Sequence, residues 1–289
     1  TLFPYTTLFR SQYTRKPPGI TRPRDNVIIR LCSIECSFSV PLSHDRNAAF
    51  RDDIIGWSKI CDRLYIWDYT TNFRHYFRPH PNLRVLGPNV RFFADHGTKG
   101  IFEQGAYTSY GAEMAELRGW VLAQLLWNPS LDDKALIREF LDGYYGPAGG
   151  PIGEYLDVMH DSIAVTEDYL GCLPSYRAPA PRFLSFENLR NGWSLLLRAE
   201  KAVQDNPELR NRVQVAQLPV MYSFMRQWSQ LKKEAAAAGD PWPLPEDIQP
   251  VYDRFMEIAR KNNVTRLCEW YEGYGLLDEA IKNAAAAEP

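Results

Sequence analysis

Three short apolar stretches, each ending on an acid, constrain this chain most. They are Val27-Ile28-Ile29-Arg30-Leu31-Cys32-Ser33-Ile34-Glu35, Leu64-Tyr65-Ile66-Trp67-Asp68 and Lys99-Gly100-Ile101-Phe102-Glu103, and their terminal acids stand 33 and 35 positions apart. The first is β-branched and almost continuously apolar, as a strand buried on both faces of a parallel sheet would be. Between the stretches, residues 46–61 set Phe50, Ile54, Trp57 and Ile60 about one helical turn apart. Pro88 then opens a short helical pattern through Val90, Phe92 and Phe93, which Gly97 closes. Strands separated by helices predict βαβ units and a parallel sheet, with the acids gathered at the carboxyl ends of the strands. A doubly wound sheet and a (β/α)₈ barrel both fit. A whole barrel needs roughly 250 residues, and residues 27–127 hold three strands, so the α/β fold expected is the C-terminal half of a TIM-like barrel.

From residue 130 onward the pattern is helical. Leu136, Ile137, Phe140 and Tyr144 share one face before Gly146-Pro147; residues 151–168 carry Ile152, Tyr155, Leu156, Met159 and Ile163. Ser185 is placed to cap a helix through Leu189, Trp193, Leu196 and Leu197. Residues 208–237 read as one long helix or a broken pair, and Pro245 opens a further one. The division expected is therefore a partial barrel over 12–129 and an α-helical region over 130–289, with a frayed tail from 284. Residues 1–11 resemble a translated sequencing adapter and are set aside from the fold. On that reading the natural protein is cut near Gln12, and a secretion signal would lie upstream.

A 45% hydrophobic, 24% charged chain can bury a sizeable core, and a net charge of −2 offers no electrostatic case for nucleic acid. No apolar run reaches membrane-spanning length. Five scattered cysteines do not make a disulfide framework. His44, His75, His80 and His96 lack metal-ligand spacing, and there is no glycine-rich phosphate loop, so neither a metal nor a cofactor is expected.

The chemistry expected lies at the strand ends. Loops at the carboxyl ends of barrel strands form the active face. Two carboxylates flanking a bond among aromatic platforms are the equipment of glycoside hydrolysis: one protonates the leaving oxygen, the other attacks or activates water. Glu103 is the first candidate for a catalytic carboxylate, against the alternative of a loop cap or an ion-paired acid. Asp68, between Trp67 and Tyr69, would bind a sugar hydroxyl or cap loop amides. Glu35 is weaker, since period-two alternation sets it opposite Arg30. Trp67, Tyr69, Phe73, Tyr76, Tyr107 and Tyr110 would stack on ligand or simply pack.

Taken together, Asp25-Asn26-Val27 through Cys36, Tyr65-Ile66-Trp67-Asp68-Tyr69, residues 99–105, Leu125-Leu126-Trp127-Asn128-Pro129 and Tyr144-Tyr145-Gly146 resemble the bacterial "domain of unknown function 4838" proteins. Some of these are classed as glycoside hydrolase family 163. The resemblance covers about residues 12–160. It implies a secreted or cell-surface bacterial protein with a (β/α)₈ barrel. It also implies retaining endo-β-N-acetylglucosaminidase activity on N-glycans, with a glycan as partner. The family's Asn-Asp motif and early strands would lie upstream, so the second catalytic carboxylate and activity are not expected in this chain alone. A non-catalytic carbohydrate-binding or structural module is the alternative.

Overall fold

The computed structural model describes residues 15–176 and 178–286. The adapter-like segment 1–11, the end of the tail at 287–289 and Arg177 of the Pro/Ala linker lie outside them. Three strands, β1 (Ile29–Cys32), β2 (Leu64–Tyr69) and β3 (Gly100–Gln104), form one parallel sheet in the order β1-β2-β3. The register pairs Leu31 with Ile66 and Cys32 with Trp67, then Ile66 with Ile101 and Asp68 with Glu103.

Side chains alternate between faces along a strand. Leu31, Leu64 and Ile66 enter one core with Phe50, Ile54 and Trp57 of α1 (Ala48–Ser58) and Val90 and Phe93 of α2 (Leu83–Asp95). Both crossovers therefore lie on the same side of the sheet. The opposite face carries Arg30, Tyr65 and Phe102, all exposed.

Several boundaries differ from expectation for identifiable reasons. Strand β1 stops at Cys32, and residues 33–36 turn, with the Cys36 amide donating to the Ser33 carbonyl at 2.8 Å. The alternation argued for Glu35 thus ends before reaching it. Helix α2 begins five residues ahead of Pro88, because Leu83, Val85 and Leu86 are themselves buried. A proline there deprives only the Arg84 carbonyl of its helical donor, a local cost that this burial offsets. Gly97 follows the helix at φ 72°, the left-handed conformation glycine takes without strain.

Helix α3 (Ala115–Trp127) packs on α2 and on α4 (Asp133–Tyr145). Asp132 caps α4 through bonds from the amides of Lys134 and Ala135. Helices α5 (Gly149–Thr166), α6 (Phe186–Ala202), capped by Ser185 as expected, and α7 (Pro207–Arg226) pack in succession. α7 breaks at Gln227 from α8 (Trp228–Ala238), so the broken pair is the form adopted. Its residues from Ala216 to Met225 are all buried, which makes it the axis of the helical region. Helix α9 (Gln249–Lys261) starts at Gln249 rather than at Pro245, and α10 (Gly275–Ala286) closes the chain. No helix among the described residues is long and apolar enough to cross a membrane.

Candidate functional site at the strand tips

Asp68 and Glu103 sit opposite each other at the ends of β2 and β3. Paired residues in a parallel sheet point the same way, with backbones about 4.8 Å apart. Both side chains turn toward the helix layer. Asp68 is 7% exposed, and its Oδ1 accepts bonds from the Ser33 hydroxyl and, at 2.9 Å, from the Tyr69 amide. Burial raises its pKa to about 6, with those two donors pulling the other way. Neither carboxylate oxygen of Glu103 has a hydrogen-bond partner, and both are shielded from solvent. Burial, then the nearby Asp68 charge, pushes its carboxyl well above the ordinary range. With two donors on one acid and none on the other, charge settles on Asp68 and the proton on Glu103.

A pocket of about 260 Å³ opens beside Glu103, between the tip of β3 and α3, with Thr70, Thr71, Gly105, Arg118 and Leu122 in its wall. Behind it Arg118 is fixed by four acceptors: Asn82 Oδ1 at 2.8 Å, the carbonyls of Glu113 and His80 at 2.6 and 3.2 Å, and Glu113 Oε2 at 2.5 Å. The loop between β2 and α2 is almost wholly buried. Its polar groups are met from far along the chain. The Phe73 amide donates to the Cys172 carbonyl, and the Tyr76 amide to that of Leu267. His75 Nδ1 lies 2.6 Å from the Tyr222 hydroxyl. Phe73 and Tyr76, offered as stacking platforms, are core residues here.

Trp67 and Tyr69 alternate with Asp68 along β2 and so lie across the sheet from the two acids. Trp67 Nε1 donates to Gln104 Oε1 at 2.7 Å. Its ring meets Phe102 edge-on at 5.2 Å and lies under the Arg30 guanidinium at 4.7 Å. Tyr69 is half-buried and set edge-on to Phe73 at 5.8 Å. Tyr107 and Tyr110 are 69% and 72% exposed. Glu35 does not join the other acids: it pairs with Arg15 at 2.5 Å, and Ser33, just past the end of β1, is the residue that reaches Asp68.

Sequence reasoning missed Glu269, in the segment between α9 and α10. Its amide donates to the Phe73 carbonyl at 2.9 Å, its Oε1 lies 3.4 Å from Gln104 Nε2, and the Tyr107 hydroxyl is near enough to lower its pKa. Burial raises its pKa, opposed by Tyr107 and by the Arg74 charge. No local pattern announces it, since its neighbours here are more than 160 positions away in the chain. Among the described residues no group of His, Cys, Asp and Glu could hold a metal ion, and all five cysteines are free thiols.

Fold and site together define a mixed α/β protein with a buried carboxylate pair at the tips of parallel strands. The chain matches the family described as "Domain of unknown function (DUF4838)" over residues 5–157, and it belongs to that family. No curated protein and no solved structure matches it.

Proposed function

We propose that the chain is the later part of a glycoside hydrolase barrel in which Asp68 and Glu103 are the reacting carboxylates. The observation that carries this is their direct pairing on neighbouring strand tips, with proton affinities raised to different degrees. Groups with split affinities at a pocket are the usual acid and base of such chemistry. In this reading Glu103, which holds the proton, is the general acid. Asp68, which holds the charge, is the nucleophile or base. The sequence alone offered Glu103 as a catalytic carboxylate, either the nucleophile or its partner.

The barrel reading draws support from the sheet. Consecutive strand order with both crossovers on one side is barrel winding; an open doubly wound sheet reverses direction and takes helices on both faces. Parallel sheets have both faces covered, and here Arg30, Tyr65 and Phe102 stand uncovered. The substrate class, a β-linked N-glycan, comes from the family resemblance.

A second reading is a non-catalytic glycan-binding protein. The shielding of both Glu103 oxygens and the position of the exposed aromatics on the other face favour it. Hydrolysis of an N-glycopeptide by the full-length protein separates the two. Glu103→Gln is expected to lower kcat by about 10²–10⁴-fold, the usual worth of a general acid. Unchanged turnover would remove Glu103 from the mechanism, and glycan binding without cleavage by the wild type would favour the second reading.

A further inference from the structure

We propose that the aromatic side of the strand tips is a ligand site completed by Glu269, and that it takes a neutral, hydroxyl-rich ring of the pyranose kind through Glu269, Gln104 and Tyr107. The ligand class rests on the glycan reading above; the site itself rests on geometry. Glu269 also lies outside the family match, which ends at residue 157.

Three features assemble the site. First, Trp67 Nε1 holds Gln104 Oε1 at 2.7 Å, which turns Gln104 Nε2 toward Glu269 Oε1 at 3.4 Å. The amide is oriented by the indole and has donor capacity left for a ligand. Second, Glu269 is anchored by its own backbone: its amide bonds Phe73, and its carbonyl accepts from Arg266 at 3.4 Å. Its carboxylate is half-buried, and among the described residues it forms no salt bridge. Third, Tyr107 and Phe102, 69% and 54% exposed, offer flat apolar area beside these polar groups.

The charges select the ligand. Glu269 repels anions. The Arg30 and Arg74 guanidiniums, 4.7 Å from the centre of the Trp67 ring and 4.5 Å from that of Trp270, oppose a cation. An aliphatic ligand would strip water from the carboxylate and the amide without replacing it. A sugar ring returns those hydrogen bonds through its hydroxyls and lays its C–H face on an aromatic ring. The Asp68–Glu103 pair points to the other face, so the two sets of carboxylates are separate.

The test is calorimetric titration of the protein with N,N′-diacetylchitobiose and, separately, cellobiose. Glu269→Ala is expected to weaken binding of the preferred disaccharide about tenfold or more, which is roughly 1.4 kcal/mol. Tyr107→Phe, which removes one hydroxyl from an exposed side chain, should weaken it several-fold without touching the fold. Glu139→Gln, a charge change at an exposed position on α4, should leave it unaltered. Wild-type affinity in both Glu269→Ala and Tyr107→Phe would overturn the site and leave the glycan reading standing. A wild-type protein that binds neither disaccharide would overturn both.

Discussion

Asp68 shows what the strand-tip pair costs the fold. Its ordinary pKa is 3.8 and its folded value is about 6. The native state therefore binds more protons than the unfolded chain between those values, so stability falls as pH rises through them. At about 1.4 kcal/mol per unit, the burden is on the order of 3 kcal/mol, absent below pH 4 and complete above the folded pKa. Asp68→Asn keeps an oxygen to accept from Ser33 and from the Tyr69 amide while removing the charge. It is expected to raise the melting temperature at pH 7, with the gain shrinking to nothing near pH 4. Thermal melts from pH 4 to 8 check this, and a pH-independent difference between the two proteins would contradict it. Retaining such a group against stability is the usual sign of a functional residue.

At the scale of elements, the Arg118 cluster decides how the β2–α2 loop is held against α3. Arg118 and Glu113 are an ion pair with side chains only 3% and 5% exposed. Arg118→Met would leave Glu113 buried without its counter-charge and free Asn82 and His80 of a donor. A loss of about 3–5 kcal/mol is expected in urea unfolding. The double variant Arg118→Met, Glu113→Leu should recover more than half of it, because no lone charge remains. A double variant as unstable as the single one would assign the cost to the loop instead.

The same elements explain what could be read in advance. The sheet was legible because each strand is a short apolar run and the helices between them repeat one spacing. The pairing of Asp68 with Glu103 followed from that. The place of Glu35 was not legible because β1 ends three residues earlier, and Ser33 is the residue that bonds Asp68. The start of α2 was hidden by Pro88, whose cost is overridden by the burial of Leu83 and Leu86. The burial of the β2–α2 loop and the place of Glu269 were not legible at all, since both depend on contacts between residues before 110 and residues beyond 170 that no local pattern encodes.

Across the whole molecule, sheet and helices share one core. Leu31 and Ile66 of the sheet belong to the same hydrophobic cluster as Phe255 of α9 and Leu277 of α10. The family match ends at residue 157, inside α5, so its limit is not a structural boundary. The β2–α2 loop ties the halves together: Phe73 to Cys172, Tyr76 to Leu267, and His75 to Tyr222 on α7. Burial, with Arg78, Arg226 and Arg74 nearby, pushes the His75 pKa down to about 2, so the ring is neutral and Tyr222 is its hydrogen-bond partner. Such a chain should unfold in one transition, with far-UV circular dichroism, which reads the helices, and tryptophan fluorescence, which samples both regions, coinciding. Tyr222→Phe removes the His75 bond at the junction and is expected to cost about 1–3 kcal/mol, because a buried ring nitrogen loses its partner. If the halves are one cooperative unit, the substitution shifts both probes by the same amount. A tryptophan signal that splits into two steps, only one of them moved by the substitution, would mean that the sheet and the helical region unfold separately.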